Sequence, residues 1–145
     1  MPTRSSRTAW NGGLMDGSGQ VELTSSGVGT YSVDFPKRTA DSSPGTTSPE
    51  ELIAAAHSSC FAMSISNEIA QAGGTPQSVE VTADVTIGPD AKNGGFGLSV
   101  KIKAVVEADG LDDEAFAQAG KAAELGCPVS KALSAIEVTT EVVRA

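Results

Sequence analysis

The run TSPEELIAAAHSSCFAMSISNEIAQA, residues 47–72, constrains the fold of this chain more than any other stretch. Ser48 followed by Glu51 is a capping box, in which the serine oxygen accepts from an orphan amide of the first turn and the glutamate reaches back to the cap amide. Pro49 suits the first helical turn, where its missing N–H costs nothing, and Gly73-Gly74 stands where a helix stops. From Leu52 to Asn67 no residue is charged, and Ala54, Ala55, Ala56, Ser58, Ser59 and Ala62 are too small to hold a neighbour away. A helix of this kind is expected to be covered on most sides. It is too rich in Ser and His to span a bilayer, which asks for about 20 mostly apolar residues. The helix therefore belongs at the centre of a soluble core, and Cys60 in its middle is either core filling or chemistry.

A chain of 145 residues, 39% hydrophobic, has the size of one ordinary domain, so residues 1–145 are expected to form a single domain. Its net charge of -8 repels phosphate backbones, and 4% aromatic residues offer few platforms for base stacking, so nucleic acid is not an expected partner. Arg4 and Arg7 are followed by no apolar h-region, so no secretory signal is expected, and no segment suits a membrane span. The expected location is cytoplasmic. In a reducing compartment two cysteines are more readily free, catalytic or redox-active than a structural staple.

From Arg7 to Phe35, short apolar or β-branched pieces are cut by Gly12-Gly13, Gly17, Gly19, Gly27 and Gly29, which reads as a three-stranded meander. Residues 36–47 carry no period and read as a loop leading to the long helix. Beyond it, Val79, Val81, Ala83, Val85 and Ile87 alternate with polar residues, the pattern of a half-buried strand. Asn93-Gly94-Gly95 turns the chain, and Phe96, Leu98, Val100, Ile102, Ala104 and Val106 alternate back. Asp112 or Asp113 caps a second helix running to about Leu125, Cys127-Pro128 opens a short helical piece to Leu133, and Ile136 to Val143 forms a last strand. Meander, long helix, hairpin, helix and strand make an α+β protein with antiparallel sheets.

Both cysteines stand in contexts that weaken the ordinary reading of a free cysteine as a small buried hydrophobe. Cys60 has His57, Ser58 and Ser59 beside it, where packing alone favours larger residues. Cys127 lies in GCP at a helix start, where oriented amides favour a thiolate. On the residues alone Cys127 is thus the more acidic thiol. Cys60 sits about 11 residues into its helix, beyond reach of the dipole, which acts over the first turn. A reactive Cys60 needs a cation, and of Arg4, Arg7, Arg38 and Arg144 only Arg38 lies in the loop feeding the helix. The 67 positions between the cysteines make no motif and do not show that they meet.

His57, three residues before Cys60, could share a metal with it, but no CxxC or HExxH accompanies the pair, so no metal site is expected. Side chains three apart on one rigid helix are also poorly aimed for Cys–His proton transfer. His57 is expected to be a packed or hydrogen-bonding residue. No GxxxxGK[ST], GxGxxG or GxSxG is present, so phosphate-loop and serine-hydrolase readings drop out and no cofactor is expected.

The segments SPEELIAAAHSSCFAMS (48–64) and GCPVSKAL (126–133), joined by the hairpin carrying NGGFGL (93–98), resemble the OsmC/Ohr family, the osmotically induced protein and organic hydroperoxide resistance group. The resemblance covers essentially the whole chain and is closer to the OsmC branch. It implies antiparallel sheets wrapped around long central helices in an intertwined homodimer. It also implies a thiol peroxidase: Cys60 attacks the peroxide as a thiolate and becomes a sulfenic acid, and Cys127 resolves it as a disulfide. A dithiol reductant, of the lipoyl type in this family, then restores the thiols. An arginine holding the thiolate and a glutamate holding that arginine would map to Arg38 and Glu50.

Glu50 and Cys60 are ten residues apart, roughly 15 Å along one helix. If both serve one site, two helices pack antiparallel about a two-fold near Ala55, so that Glu50 of one chain faces Cys60 of the other. The expected substrates are organic hydroperoxides, with hydrogen peroxide a poorer one, and Phe35, Phe61, Met63 and Phe96 are candidates to line an alkyl pocket. The competing reading is a non-enzymatic redox-sensing or small-molecule-binding stress protein on the same fold.

Overall fold

Alternating β-branched and polar residues build the second half of the chain around one long hairpin. In the computed structural model, which describes all residues from Met1 to Ala145, the chain forms two compact units, Met1–Pro49 and Glu50–Ala145. The first holds an antiparallel meander of β1 (Arg7–Asn11), β2 (Ser18–Glu22) and β3 (Thr30–Val33). The segment expected as a plain loop after it begins with a single helical turn, α1 (Phe35–Arg38). Asp34 caps this turn by accepting from the Lys37 amide, and Pro36 adds a fixed φ.

The second unit contains α2 (Pro49–Gln71, its first residue belonging to the first unit), β4 (Thr75–Pro89), β5 (Phe96–Asp109), α3 (Asp113–Gly126), α4 (Pro128–Ala132) and β6 (Glu137–Arg144). The end of α2 follows the glycine pair. Gly73 takes φ +88, its amide bonds to Ala70 O and the Gly74 amide to Ile69 O, the two bonds of a Schellman cap. β4 and β5 pair antiparallel with Val81 opposite Ala104 and Val85 opposite Val100, as the alternation requires. Gly94 and Gly95 hold positive φ in the turn, and Asp90 accepts from the Lys92 and Asn93 amides.

One strand departs from the expected antiparallel order. β6 lies beside β5 in the parallel sense, Ser99 opposite Glu137 and Val106 opposite Arg144, so this sheet is mixed. The reason is the path of the chain: α3 and α4 run back along the sheet, and a strand entered after such a crossover points the same way as the one before it. α3 packs on β6 at Gly120, where a Cβ would make ordinary contact 3.4 Å from Val142.

His57, Phe61, Ile65 and Ile69, each four residues from the next, form the buried stripe of α2. The three apolar ones pack with Val100, Ile102, Ala104 and Val106 of β5 and Phe116, Ala119 and Ala123 of α3, each large side chain contributing about 1.5–3 kcal/mol of burial. The opposite face of α2 is not covered within the second unit. Ala55, Ala56, Ser59 and Asn67 are exposed there, and Met63 is 72% exposed.

Candidate active site

Cys60 and Cys127 meet: their sulfurs lie 3.3 Å apart in a hydrogen bond, and both are free thiols. Cys60 comes from the middle of α2 and is partly exposed, whereas Cys127 is fully buried against the core. Three local features fix Cys127. Its amide bonds to Ala123 O, closing α3, and its carbonyl accepts from the Lys131 amide, opening α4. Pro128 holds it extended, with ψ 118, because a residue before proline is kept out of the helical region. Ser64 Oγ of α2 donates to Ala123 O at 3.1 Å and fastens the two helices beside the sulfurs.

Ser130 and His57 complete the cluster. His57 is fully buried, and its Nε2 lies 2.8 Å from Ser130 Oγ. The expectation of a hydrogen-bonding histidine thus finds its partner in α4. Its Nδ1 is buried without one. Ser130 lies within GCPVSKAL, yet a single serine there has no spacing that marks a role. The only signal was its place three residues after Cys127, where the third helical position turns its amide and hydroxyl back to the cap.

The two thiols differ in acidity. Burial pushes Cys60 up, a hydrogen bond from the Val129 amide works against that, and the Cys127 thiol raises it further. Burial acts in the same direction on Cys127 but is outweighed there. The hydroxyl and amide of Ser130, the Cys60 thiol and the Val129 amide together hold Cys127 below the ordinary thiol range. No full capping hydrogen bond reaches the sulfur, so the amides act as oriented dipoles at short range. His57 is held below the ordinary histidine value by burial and is neutral at pH 7.

Glu50 lies in the first turn of α2 and is 7% exposed, three helical turns from Cys60 on the same rod. Arg38 ends α1 in the first unit. The apolar residues named as a possible alkyl pocket do not assemble in the second unit. Phe61 is consumed by the core, Phe96 is 74% exposed at the start of β5, and Met63 borders a groove with Ala62, Ser66 and residues 76–79. Phe35 belongs to the first unit.

An α+β chain with two free thiols in contact, one open and one buried, defines a dithiol protein. Comparison with known proteins gives its family. The sequence pattern of the family described as OsmC-like protein matches residues 41–141. The chain is 37% identical over 133 residues to Peroxiredoxin OsmC of Escherichia coli (strain K12), covering 91% of this chain and 90% of that protein. Among solved structures, an organic hydroperoxide resistance protein from Elizabethkingia anophelis superposes with a TM-score of 0.81 at 31% identity, over 100% of this chain and 98% of that one. The organic hydroperoxide resistance protein OhrB of Bacillus subtilis gives 0.72 at 26% identity, over 96% and 98%. The chain belongs to the OsmC-like protein family.

Proposed function

We infer that this cysteine-based peroxidase reduces organic hydroperoxides, with hydrogen peroxide a poorer substrate, through its two thiols in sequence. The observation that carries the reading is the contact between a partly exposed Cys60 and a buried Cys127 at 3.3 Å. Only Cys60 is open to a substrate from outside, so it is the thiol assigned to attack. Its thiolate displaces alcohol from the hydroperoxide by breaking the O–O bond, leaving a sulfenic acid. Cys127 then attacks the Cys60 sulfur, the S–O bond breaks, the departing hydroxide takes up a proton as water, and a disulfide joins the two. A dithiol, of the lipoyl type in this reading, reduces it.

Cys60 has to be activated from outside its immediate surroundings, since burial and Cys127 both oppose its thiolate. That role falls to Arg38, with Glu50 orienting the guanidinium. A carboxylate three turns from Cys60 on the same helix serves that site only from a second copy of the chain, so the functional form is a homodimer.

The test is turnover of an organic hydroperoxide with a dithiol reductant. Cys60→Ser should abolish consumption, and Cys127→Ser should undergo one oxidation, trappable as a sulfenic acid by dimedone, and form no intramolecular disulfide. Full turnover by Cys60→Ser would refute the assignment. A wild-type protein that forms the disulfide but never turns over would instead be a redox sensor.

A further inference from the structure

The peroxidase chemistry above uses two sulfurs and leaves a buried histidine and serine without a task. His57 Nε2 and Ser130 Oγ are 2.8 Å apart, both side chains are buried, and Ser130 follows Cys127 by three residues in α4. Two contacts thus join α2 to the turn around Cys127, His57 to Ser130 and Cys60 to Cys127, and Ser130 stands three residues after Cys127 at the start of α4.

We propose that Ser130, oriented by His57, is a positioning residue for the resolving half of the reaction: its hydroxyl donates to the Cys127 sulfur and aims it at Cys60. The inference rests on the peroxidase reading for its consequence, though not for the His57–Ser130 and Cys60–Cys127 contacts. Under this proposal, proton counting gives the sense of each bond. Ser130 has one hydroxyl proton, and giving it to Cys127 requires the serine oxygen to accept from His57, so His57 carries its proton on Nε2. Nδ1 is then a bare lone pair, which agrees with its lack of any partner. Burial keeps the ring neutral, so it acts as a fixed donor and not as a base.

The step balances without a further co-reactant. The Cys127 thiolate forms the S–S bond, the S–O bond of the Cys60 sulfenic acid breaks, and hydroxide combines with the proton Cys127 released earlier. Ser130 keeps its own proton throughout. Besides Cys60 and His57, the titratable group of α2 facing this turn is Glu68, whose Oε1 would lie 3.9 Å from a Cβ placed on Gly126. Lys131 of α4 carries the nearest positive charge in sequence and is exposed.

Two measurements test this on the full-length protein. In Cys60→Ser, the ultraviolet absorbance of the Cys127 thiolate is titrated with and without Ser130→Ala. Loss of one hydrogen bond to a charged sulfur should move the midpoint up by about one pH unit, and Ser130→Thr should restore it. With both cysteines present, Ser130→Ala should leave formation of the sulfenic acid within about twofold and slow its conversion to disulfide roughly tenfold at neutral pH. A Cys127 titration unmoved by Ser130→Ala would overturn the proposal even if turnover is intact. If the wild type makes no sulfenic acid, the peroxidase reading fails while the titration still decides the role of Ser130. Wild-type protein gives an answer that needs no substitution. His57 is the only histidine, so its ¹⁵N spectrum is unambiguous. Protonation at Nε2 is expected, and protonation at Nδ1 would overturn the proposal, because the serine proton would then belong to His57.

Discussion

Two residues with the same side chain differ in acidity here because their surroundings differ. Cys127 is buried yet more acidic than usual, and Cys60 is more accessible yet less acidic. The helix-start context of Cys127 was readable from GCP; the contribution of Ser130 was not, since its hydroxyl matters only through the direction it faces. The low acidity of Cys60 makes the assigned cation testable. Arg38→Met and Glu50→Gln should each slow the first oxidation by tenfold or more, on the order of 1.4 kcal/mol or above, with little change in the circular dichroism spectrum. His57 gives a second expectation. Its proton affinity is lowered in the folded state, so the unfolded chain takes up a proton first as pH falls. Stability should therefore decline below about pH 6.5, with a slope of at most about 1.4 kcal/mol per pH unit from this group. Urea midpoints between pH 7 and 5 should show a weaker slope in His57→Gln.

At the level of elements, periodicity was a reliable guide and chain direction was not. The strands β4 and β5 appear where their alternation placed them, and α2 ends at Gly73 because only a residue free to take positive φ closes it cheaply. The parallel placement of β6 had no local signal, since Ile136 to Val143 alternates equally well in either direction. One side chain holds that strand to the start of α3. Arg144 donates to the carbonyls of Leu111 at 2.9 Å and Asp112 at 3.1 Å, lies 3.5 Å from Asp113, and stacks 4.4 Å over the Phe116 ring. Arg144→Ala should destabilise the protein by about 1–3 kcal/mol, and Arg144→Lys should recover little of it, because an ammonium lacks the planar guanidinium that stacks on Phe116 while its other nitrogens reach Asp113 and Ala108 O. Chemical denaturation would measure both.

For the whole molecule, the uncovered face of α2 is the informative feature. Ala55, Ala56, Ser59 and Met63 lie exposed along a helix whose other face is a packed core, and Val79, Val81, Ala83 and Val85 on edge strand β4 are only partly buried. In the homodimer proposed above a second copy of the chain would cover both, and small side chains near Ala55 would permit the close approach that a two-fold axis there requires. Ala55→Arg keeps helix propensity while placing a charge on that axis. It should fold, sediment as a monomer and lose peroxidase activity together with the dimer. An active monomer would rule out the shared site. No helix of the chain is long and apolar enough to cross a membrane.

The sequence by itself determined the long helix, the glycine stop, the hairpin and the unequal contexts of the two cysteines. Each of these is set by neighbours within a turn or a pleat, and each leaves a periodic or positional mark. Only the tertiary structure decided that residues 67 positions apart bring their sulfurs to 3.3 Å, that Ser130 and His57 stand behind them, and that β6 runs parallel. Those contacts depend on how α3 and α4 cross the sheet, and on which face of α2 the core claims. That choice belongs to the packing of the whole second unit and not to any segment of it.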